Sequence, residues 1–378
     1  MDYSLNTVDA VVVGGGIMGC ATAYYLTQAG INNVALLERD VLVSGSTGRC
    51  AGGFRQQFPT IPECQLAKES VDMIKALNDE LDKDFEYNEG GYLVLSYTED
   101  HAKNAKEKIA MQNKLGIDVR WLETNEIADV APWLNIDEGF IGAAFCPTDG
   151  LLNPFSFTYA YAEAFQKNGG SIFQHTNVTG IEINNYSNYV VKTSQGNFHT
   201  DLLFNCTGAY SGAFGDMLGH KIPVIPLARE KIVTEPVKFF QPFLCNSPLH
   251  TLHFSQTKNG NFLMSCADLS IKQRKDLKNT WRFTQQTANS VRRLVPALGK
   301  VKILRQWSGF YETTADGEPF IGGIDGLEGF AQAVGFNGHG MMLAPGACKA
   351  IVDYALGDDV PEWFDTFEMK RIYNAAQV

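Results

Sequence analysis

"VDAVVVGGGIMG", Val8 to Gly19, runs an aliphatic segment straight into a glycine cluster. Residues 8–13 have the near-continuous apolar character of a strand covered on both faces. The residues after the glycines predict a helix over about 17–29, and 34–38 reads as a second buried strand. The unit is therefore β-α-β. Within its turn, Gly14, Gly16 and Gly19 stand in GxGxxG order. The first permits a tight turn, the second lets backbone approach a pyrophosphate, and the third lets helix and strand pack closely. Glu38 closes the second strand about 20 residues further on, where a ribose-binding acid belongs. A close-packed turn without nucleotide would need the glycines but not the acid. NAD and FAD both satisfy this pattern, so the cofactor must be decided elsewhere.

The 378 residues allow two or three domains, and 45% hydrophobic with 19% charged residues reads as an ordinary globular chain. A formal charge of -11 supplies no basic footprint for nucleic acid or an anionic membrane. Small molecules are the expected partners. The eight cysteines (Cys20, Cys50, Cys64, Cys146, Cys206, Cys245, Cys266, Cys348) form no CxxC pair. Neither a metal site nor a disulfide framework is signalled, and reduced, packing cysteines are expected. Asp2, Asp9 and the interrupting glycines argue against reading the first apolar run as a signal segment. No stretch looks membrane-spanning, so a cytoplasmic protein is expected.

Past the first unit lies "STGRCAGGFRQQF", Ser46 to Phe58, with Arg49 and Arg55 and no acidic residue between Asp40 and Glu63. Guanidinium groups are costly to bury unpaired, so the two either face water or face anions brought from elsewhere, a bound ligand included. A helix over 62–81, the strand "GGYLVLSY" and a charged helix follow. After the helix 155–167 come the short strands "SIFQHT", "VTGIEI", "YVVKTS" and "LLFNCTG". Residues 222–314 turn strand-rich around one helix at 279–294, with the alternation of an antiparallel sheet that has one face over a site. The chain then returns to "GFAQAVGFNGHGMMLAPGACKAIVDYALG", a strand, a glycine-rich turn and a helix. Nucleotide-type elements at the start, middle and end imply an interleaved α/β chain. Residues 1–84, 147–221 and 315–378 are expected to form the nucleotide domain, and 85–146 with 222–314 a substrate domain.

The loop "GSTGRCAGGFRQQF", the strand end "NCTGAYS" (Asn205 to Ser211) and the terminal "GFNGHGMMLAP" (Gly335 to Pro345) follow "GGGIMG" in order. Together they resemble the FAD-dependent amino-acid oxidoreductases of the D-amino-acid oxidase superfamily. With "PTDG", "HFSQT" and "WSGFYETTADGEPFIG", the chain looks most like the β subunits of sarcosine oxidases and L-proline dehydrogenases. The resemblance implies a glutathione-reductase-like Rossmann domain for FAD and an antiparallel-sheet domain holding substrate over the flavin. It places Gly14, Gly16, Ile17 and Met18 at the pyrophosphate, Glu38 at the adenosine ribose and Arg39 beside the adenosine. Ser46 and Thr47 would continue the pyrophosphate and ribityl contacts, Arg49 would lie near the flavin, and Val178 would bond the adenine through its backbone. Thr207 and Gly208 would close over the dinucleotide, and Gly338, His339, Gly340, Met341 and Met342 would run beside the ring. A helix starting near His339 would aim its positive end at the flavin, whose reduced form carries negative charge there.

The implied chemistry is hydride transfer from the carbon next to nitrogen in a small secondary or N-methyl amino acid of the proline, hydroxyproline or sarcosine type. Arg55 matches the position that grips a substrate carboxylate, with His253 and then His339 as catalytic candidates for holding or taking the amine proton. A histidine on a strand also serves as ordinary packing. The residue at 311 is tyrosine where glycine oxidases carry arginine, and Met342 stands where monomeric sarcosine oxidases carry lysine. Carboxylate binding is therefore expected to rest on Arg55. No cysteine near Tyr311 and no histidine near Asn153 offers a flavin attachment, so non-covalent FAD is expected. No lysine stands at Met264, where monomeric oxidases use one for oxygen, which favours a dehydrogenase. Its electrons would pass to a redox centre in a partner subunit. A hydroxy-acid or glycerol-phosphate dehydrogenase and a purely flavin-binding subunit are the alternatives.

Overall fold

The strand Ala10–Val13 and the helix Ile17–Gln28 are joined by Gly14, Gly15 and Gly16, and the strand Val34–Leu37 lies beside the first. The structure is a computed structural model describing residues 5–81, 83–184, 188–266 and 275–375. Asp2 of the amino-terminal flank and parts of the expected domain segments lie outside the described residues.

Both strands of this unit are buried along their whole length, as their unbroken aliphatic sequences require. They sit in a six-stranded sheet ordered Phe320–Gly322, Phe330–Val334, Leu202–Asn205, Ala10–Val13, Val34–Leu37, Ser171–Phe173. Every pairing is parallel except the first. Ile17–Gln28 is buried from Ile17 to Leu26 and packs between the helices Pro154–Lys167 and Gly340–Leu356. Tyr25 and Tyr161 fix one of these contacts by a 3.0 Å hydroxyl–hydroxyl bond. Pro345 interrupts the hydrogen-bond ladder of Gly340–Leu356. Ser70 of the helix Ile61–Glu80 mends it, its Oγ accepting the Gly346 N–H at 3.1 Å and donating to the Leu343 carbonyl at 3.3 Å.

The close packing of the first helix rests on two glycines. Gly14 has φ +113°, and a Cβ there would fall 2.3 Å from the Cys206 carbonyl oxygen. A Cβ on Gly19 would fall 1.7 Å from the carbonyl oxygen of Gly14. Backbone thus touches backbone at both points.

An eight-stranded sheet faces this unit, ordered Ile303–Thr313, Ile225–Thr234, Phe262–Cys266, Leu252–Gln256, Leu244–Ser247, Tyr92–Ser96, Gly142–Cys146, Arg120–Glu123. It is antiparallel apart from one parallel seam, Leu244–Ser247 on Tyr92–Ser96, with Cys245 opposite Leu93. The antiparallel sheet expected over 222–314 is present, and the parallel seam joins it to the strands of the 92–146 segment. Two chain segments each fold their own antiparallel piece, and the pieces meet edge to edge. Strands Gly196–Thr200, Gly142–Cys146, Arg120–Glu123 and Leu244–Ser247 had not been expected from sequence. Among the described residues no helix is long and apolar enough to cross a membrane.

Replacing Gly19 with alanine should force the helix off the strand. Urea unfolding of Gly19→Ala is expected to show a loss of at least about 2 kcal/mol with an unchanged m-value.

Candidate active site

A cavity of about 520 Å³ runs from Glu38 and Arg39, past the glycine turn, to Gly338–Met342 and the inner face of the eight-stranded sheet. At its first end the helix Ile17–Gln28 points its amino terminus inward, offering partial positive charge. Thr47 Oγ accepts the Ile17 N–H at 3.1 Å, tying that terminus to the following loop. The Glu38 carboxylate lies under the turn, accepting the N–H of Gly15 at 2.7 Å and of Asp40 at 2.8 Å. Arg39 lies 3.9 Å from the Tyr210 ring centroid and pairs with Asp40 at 3.2 Å. Val178 and Thr207 line the same wall, Thr207 Oγ donating to Asn205 Oδ1 at 2.7 Å, and Gly208 turns the chain at φ +56°. A side-chain-free backbone approach, a helix amino terminus and a carboxylate beside it are the parts a dinucleotide needs. The residues present fit FAD.

Gly14, Gly16, Ile17, Met18, Glu38, Arg39, Ser46, Thr47, Arg49, Val178, Thr207 and Gly208 all line this one cavity. So do Gly338 to Met342, Arg55 and His253. The structure brings every sequence-named site residue together.

The loop Ser46 to Phe58 holds its two arginines with neutral partners. Ser46 Oγ donates to the Phe310 carbonyl at 2.8 Å. Arg49 donates to the carbonyls of Ser44 at 3.3 Å and Ser308 at 3.1 Å, while its own carbonyl accepts the Trp307 indole N–H at 3.1 Å. Arg55 donates to the Gln57 carbonyl at 2.6 Å and contacts His339 Nε2 at 2.9 Å, with the Phe58 ring centroid 4.3 Å away. Among the described residues it forms no ion pair. Because a guanidinium only donates, His339 Nε2 accepts and its proton sits on Nδ1. Burial, then Arg55 and His253, lower the His339 pKa to about 3, which keeps that tautomer neutral.

A fully buried acid close to Arg55 in the fold binds the neighbouring amides instead. Asp149, from "PTDG", accepts the Gln56 N–H at 2.8 Å and the Gln57 amide at 3.0 Å. Burial outweighs these bonds and raises its pKa to about 6. Asp149 thereby sets the path of the loop on either side of Arg55, a role its sequence position did not reveal.

His253 stands on Leu252–Gln256 with its ring open to the cavity and Nδ1 3.3 Å from the Tyr92 hydroxyl. Enclosure by the walls, then Lys231 and Arg55, lower its pKa to about 4. At neutral pH it is an uncharged hydrogen-bonding group. Burial raises the Tyr92 phenol to about 12, so it stays protonated.

Sequence reasoning missed Arg229 and Lys231, which line the cavity from Ile225–Thr234. Their signal was the alternation in "LAREKIVTEP", which places 229 and 231 on one face. Arg229 lies 5.6 Å from the Tyr311 ring centroid, so a guanidinium does stand beside the position where arginine had been sought in sequence. Likewise Met264, checked for a lysine, is buried in the core opposite Ile232, and the cavity takes a lysine from the neighbouring strand.

Glu312, also missed, moors the terminal loop. Its carboxylate accepts the Gly335 N–H at 2.8 Å and its carbonyl the Asn337 N–H at 3.0 Å. Asn337 at φ +51° and Gly338 at φ +92° then turn the chain into Gly340–Leu356, whose first turn meets the cavity. Tyr311 packs so closely on Gly338 that a Cβ there would fall 2.4 Å from its ring.

The family model described as FAD dependent oxidoreductase matches residues 9–354. The chain belongs to that family. Sarcosine oxidase subunit beta of Rhodobacter capsulatus is 26% identical over 349 residues, spanning 91% of this chain and 84% of its own. The crystal structure of L-proline dehydrogenase from P. horikoshii superposes with a TM-score of 0.92 at 31% identity, covering 98% of this chain and 99% of its own. Glycine oxidase from Geobacillus kaustophilus, at 23% identity, shares the fold with a TM-score of 0.88, covering 97% and 99%.

Burial raises the Glu312 pKa from 4.5 to about 7 against the pull of two backbone N–H groups. A carboxyl held above its unfolded value favours the fold while protonated, and that contribution is lost as pH rises from about 4.5 through about 7. In Glu312→Gln this loss disappears. Thermal melts of FAD-free protein should show the variant gaining on the parent steadily across that window.

Proposed function

We propose that this chain uses FAD to oxidise the carbon–nitrogen bond of a small secondary or N-methyl amino acid of the proline, hydroxyproline or sarcosine type. The observation that carries the reading is Arg55, a guanidinium lining the cavity and held, among the described residues, by neutral acceptors and ring faces. A fork so held keeps its charge available for a carboxylate. When bound, flavin supplies the hydride acceptor.

In this reading the chain's residues bind and orient. Arg55 grips the carboxylate, and Asp149 and His339 hold Arg55 in place. His253, neutral and flanked by Tyr92, accepts a hydrogen bond from the substrate amine and orients it. The glycine turn with Ile17 and Met18 would receive the pyrophosphate, and Glu38 would take a ribose hydroxyl beside the N–H groups it already accepts. The amino terminus of Gly340–Leu356 favours negative charge beside it. Residues 1–84, 147–221 and 315–378 serve FAD, and 85–146 with 222–314 serve the substrate. The name of the Rhodobacter relative, a subunit, supports a heteromeric assembly, in which a partner chain would carry the redox centre that takes the electrons.

The test is anaerobic mixing of the FAD-loaded protein with a panel of amino and hydroxy acids. Flavin bleaching by secondary or N-methyl amino acids is expected; bleaching by hydroxy acids alone would overturn the reading. Arg55→Ala should lose at least about 100-fold in kcat/KM, the cost of removing a charge-assisted bidentate contact, while retaining FAD. Glu38→Ala should do the opposite and release FAD on dilution.

A further inference from the structure

We propose that the substrate carries a second acid group, received by Lys231 together with Arg229. This rests on the amino-acid reading above and narrows it. Lys231 is half-buried and lines the cavity, yet it has no hydrogen bond and no ion pair among the described residues. A half-buried ammonium in a cavity loses its water when a ligand fills that space, and an anion on the ligand replaces it.

The acids close to it in the chain or fold are committed elsewhere. Glu230 points to the opposite face, accepting the backbone N–H and the hydroxyl of Thr280 at 2.6 and 2.8 Å. Glu235 accepts the Lys302 N–H at 2.9 Å, and Glu312 moors Gly335. Arg229, about 7 Å along the strand on the same face, bonds among the described residues only the Ala228 carbonyl at 3.4 Å and faces the Tyr311 ring. The glycine turn and helix terminus suffice for the pyrophosphate, and Arg55 for one carboxylate. Among the described residues, Lys231 and Arg229 are left without an anion.

Their place sets the length of the substrate. Ile232 pairs with Met264, and one step along that register Lys231 faces Ser265, which in turn pairs with His253. Lys231 and His253 are thus two strands apart on one face, about 10 Å between backbones. The charges of Lys231 and Arg55 both reach the His253 ring. An amine held at His253 therefore leaves a distal acid group, one or two carbons away, within reach of the lysine.

Matched substrates test this in the anaerobic reduction of the FAD-loaded protein. Sarcosine is set against N-carboxymethylglycine, and proline against pyrrolidine-2,5-dicarboxylate; N-phosphonomethylglycine distinguishes a phosphonate from a carboxylate as the distal group. The parent should reduce with an acid-bearing member at least about 30-fold more efficiently than with its neutral twin. Lys231→Met should bring the two within about threefold, and Lys231→Arg should keep the preference. Neutral twins that bleach the flavin as well as the acids would overturn the inference and leave the amino-acid reading standing. If no member bleaches it, that reading falls and the inference with it. A Lys231→Met effect confined to reoxidation, equal for both twins, would assign the lysine to the acceptor step and also overturn it. Should Lys231→Met fail to retain FAD, the parent's preference between twins decides alone.

Discussion

The organising constraint of this molecule is a double contact between bare backbones. Gly19 lies against the carbonyl of Gly14, and Gly14 against the carbonyl of Cys206. Only residues without a side chain let one helix and two parallel strands converge so tightly. The convergence aims the helix terminus into the cavity, brings Glu38 beneath the turn and lets Thr47 reach the first helical N–H. From Thr47 the chain runs on into the loop that carries Arg49 and Arg55.

That loop separates shape from charge. The buried Asp149 carboxylate binds the amides around Arg55 and leaves the guanidinium to a carbonyl, a neutral imidazole and the aromatic faces of Phe58 and Tyr92. A carboxylate on Arg55 itself would have fixed the loop equally well but spent the positive charge. The Arg55 contact also determines which nitrogen of His339 carries the proton, so the cation and its neighbour are mutually oriented. On the sheet side, the walls that enclose His253 together with nearby cations keep it uncharged.

Legibility followed the range of the interactions. The glycine turn and Glu38 are local features, and they were readable with their spacing. Arg55 stood out because the chain around it holds no acid. By contrast, Leu244–Ser247 is short, and its neighbour Tyr92–Ser96 comes from a distant segment, so nothing local announced the parallel seam. Asp149 acts across the same kind of gap. Met264 and Lys231 show how a small offset misleads. Neighbouring residues on a strand face opposite sides, so scanning one strand for a lysine overlooked the one that an adjacent strand turns inward. Glu312 was hidden for another reason, since its task is to hold a backbone that only the folded chain brings near.

The order of strands in the six-stranded sheet also governs how the molecule is born. Ala10–Val13 is flanked by Val34–Leu37 and by Leu202–Asn205, and the latter by Phe330–Val334. During synthesis at about 5–20 residues per second, one edge of that first strand stays bare for roughly 10–40 s before its second neighbour leaves the ribosome. An aliphatic edge open for so long is a template for mispairing. The nascent polypeptide thus needs shielding by a chaperone, or by its own early helices, well before any yellow colour can develop.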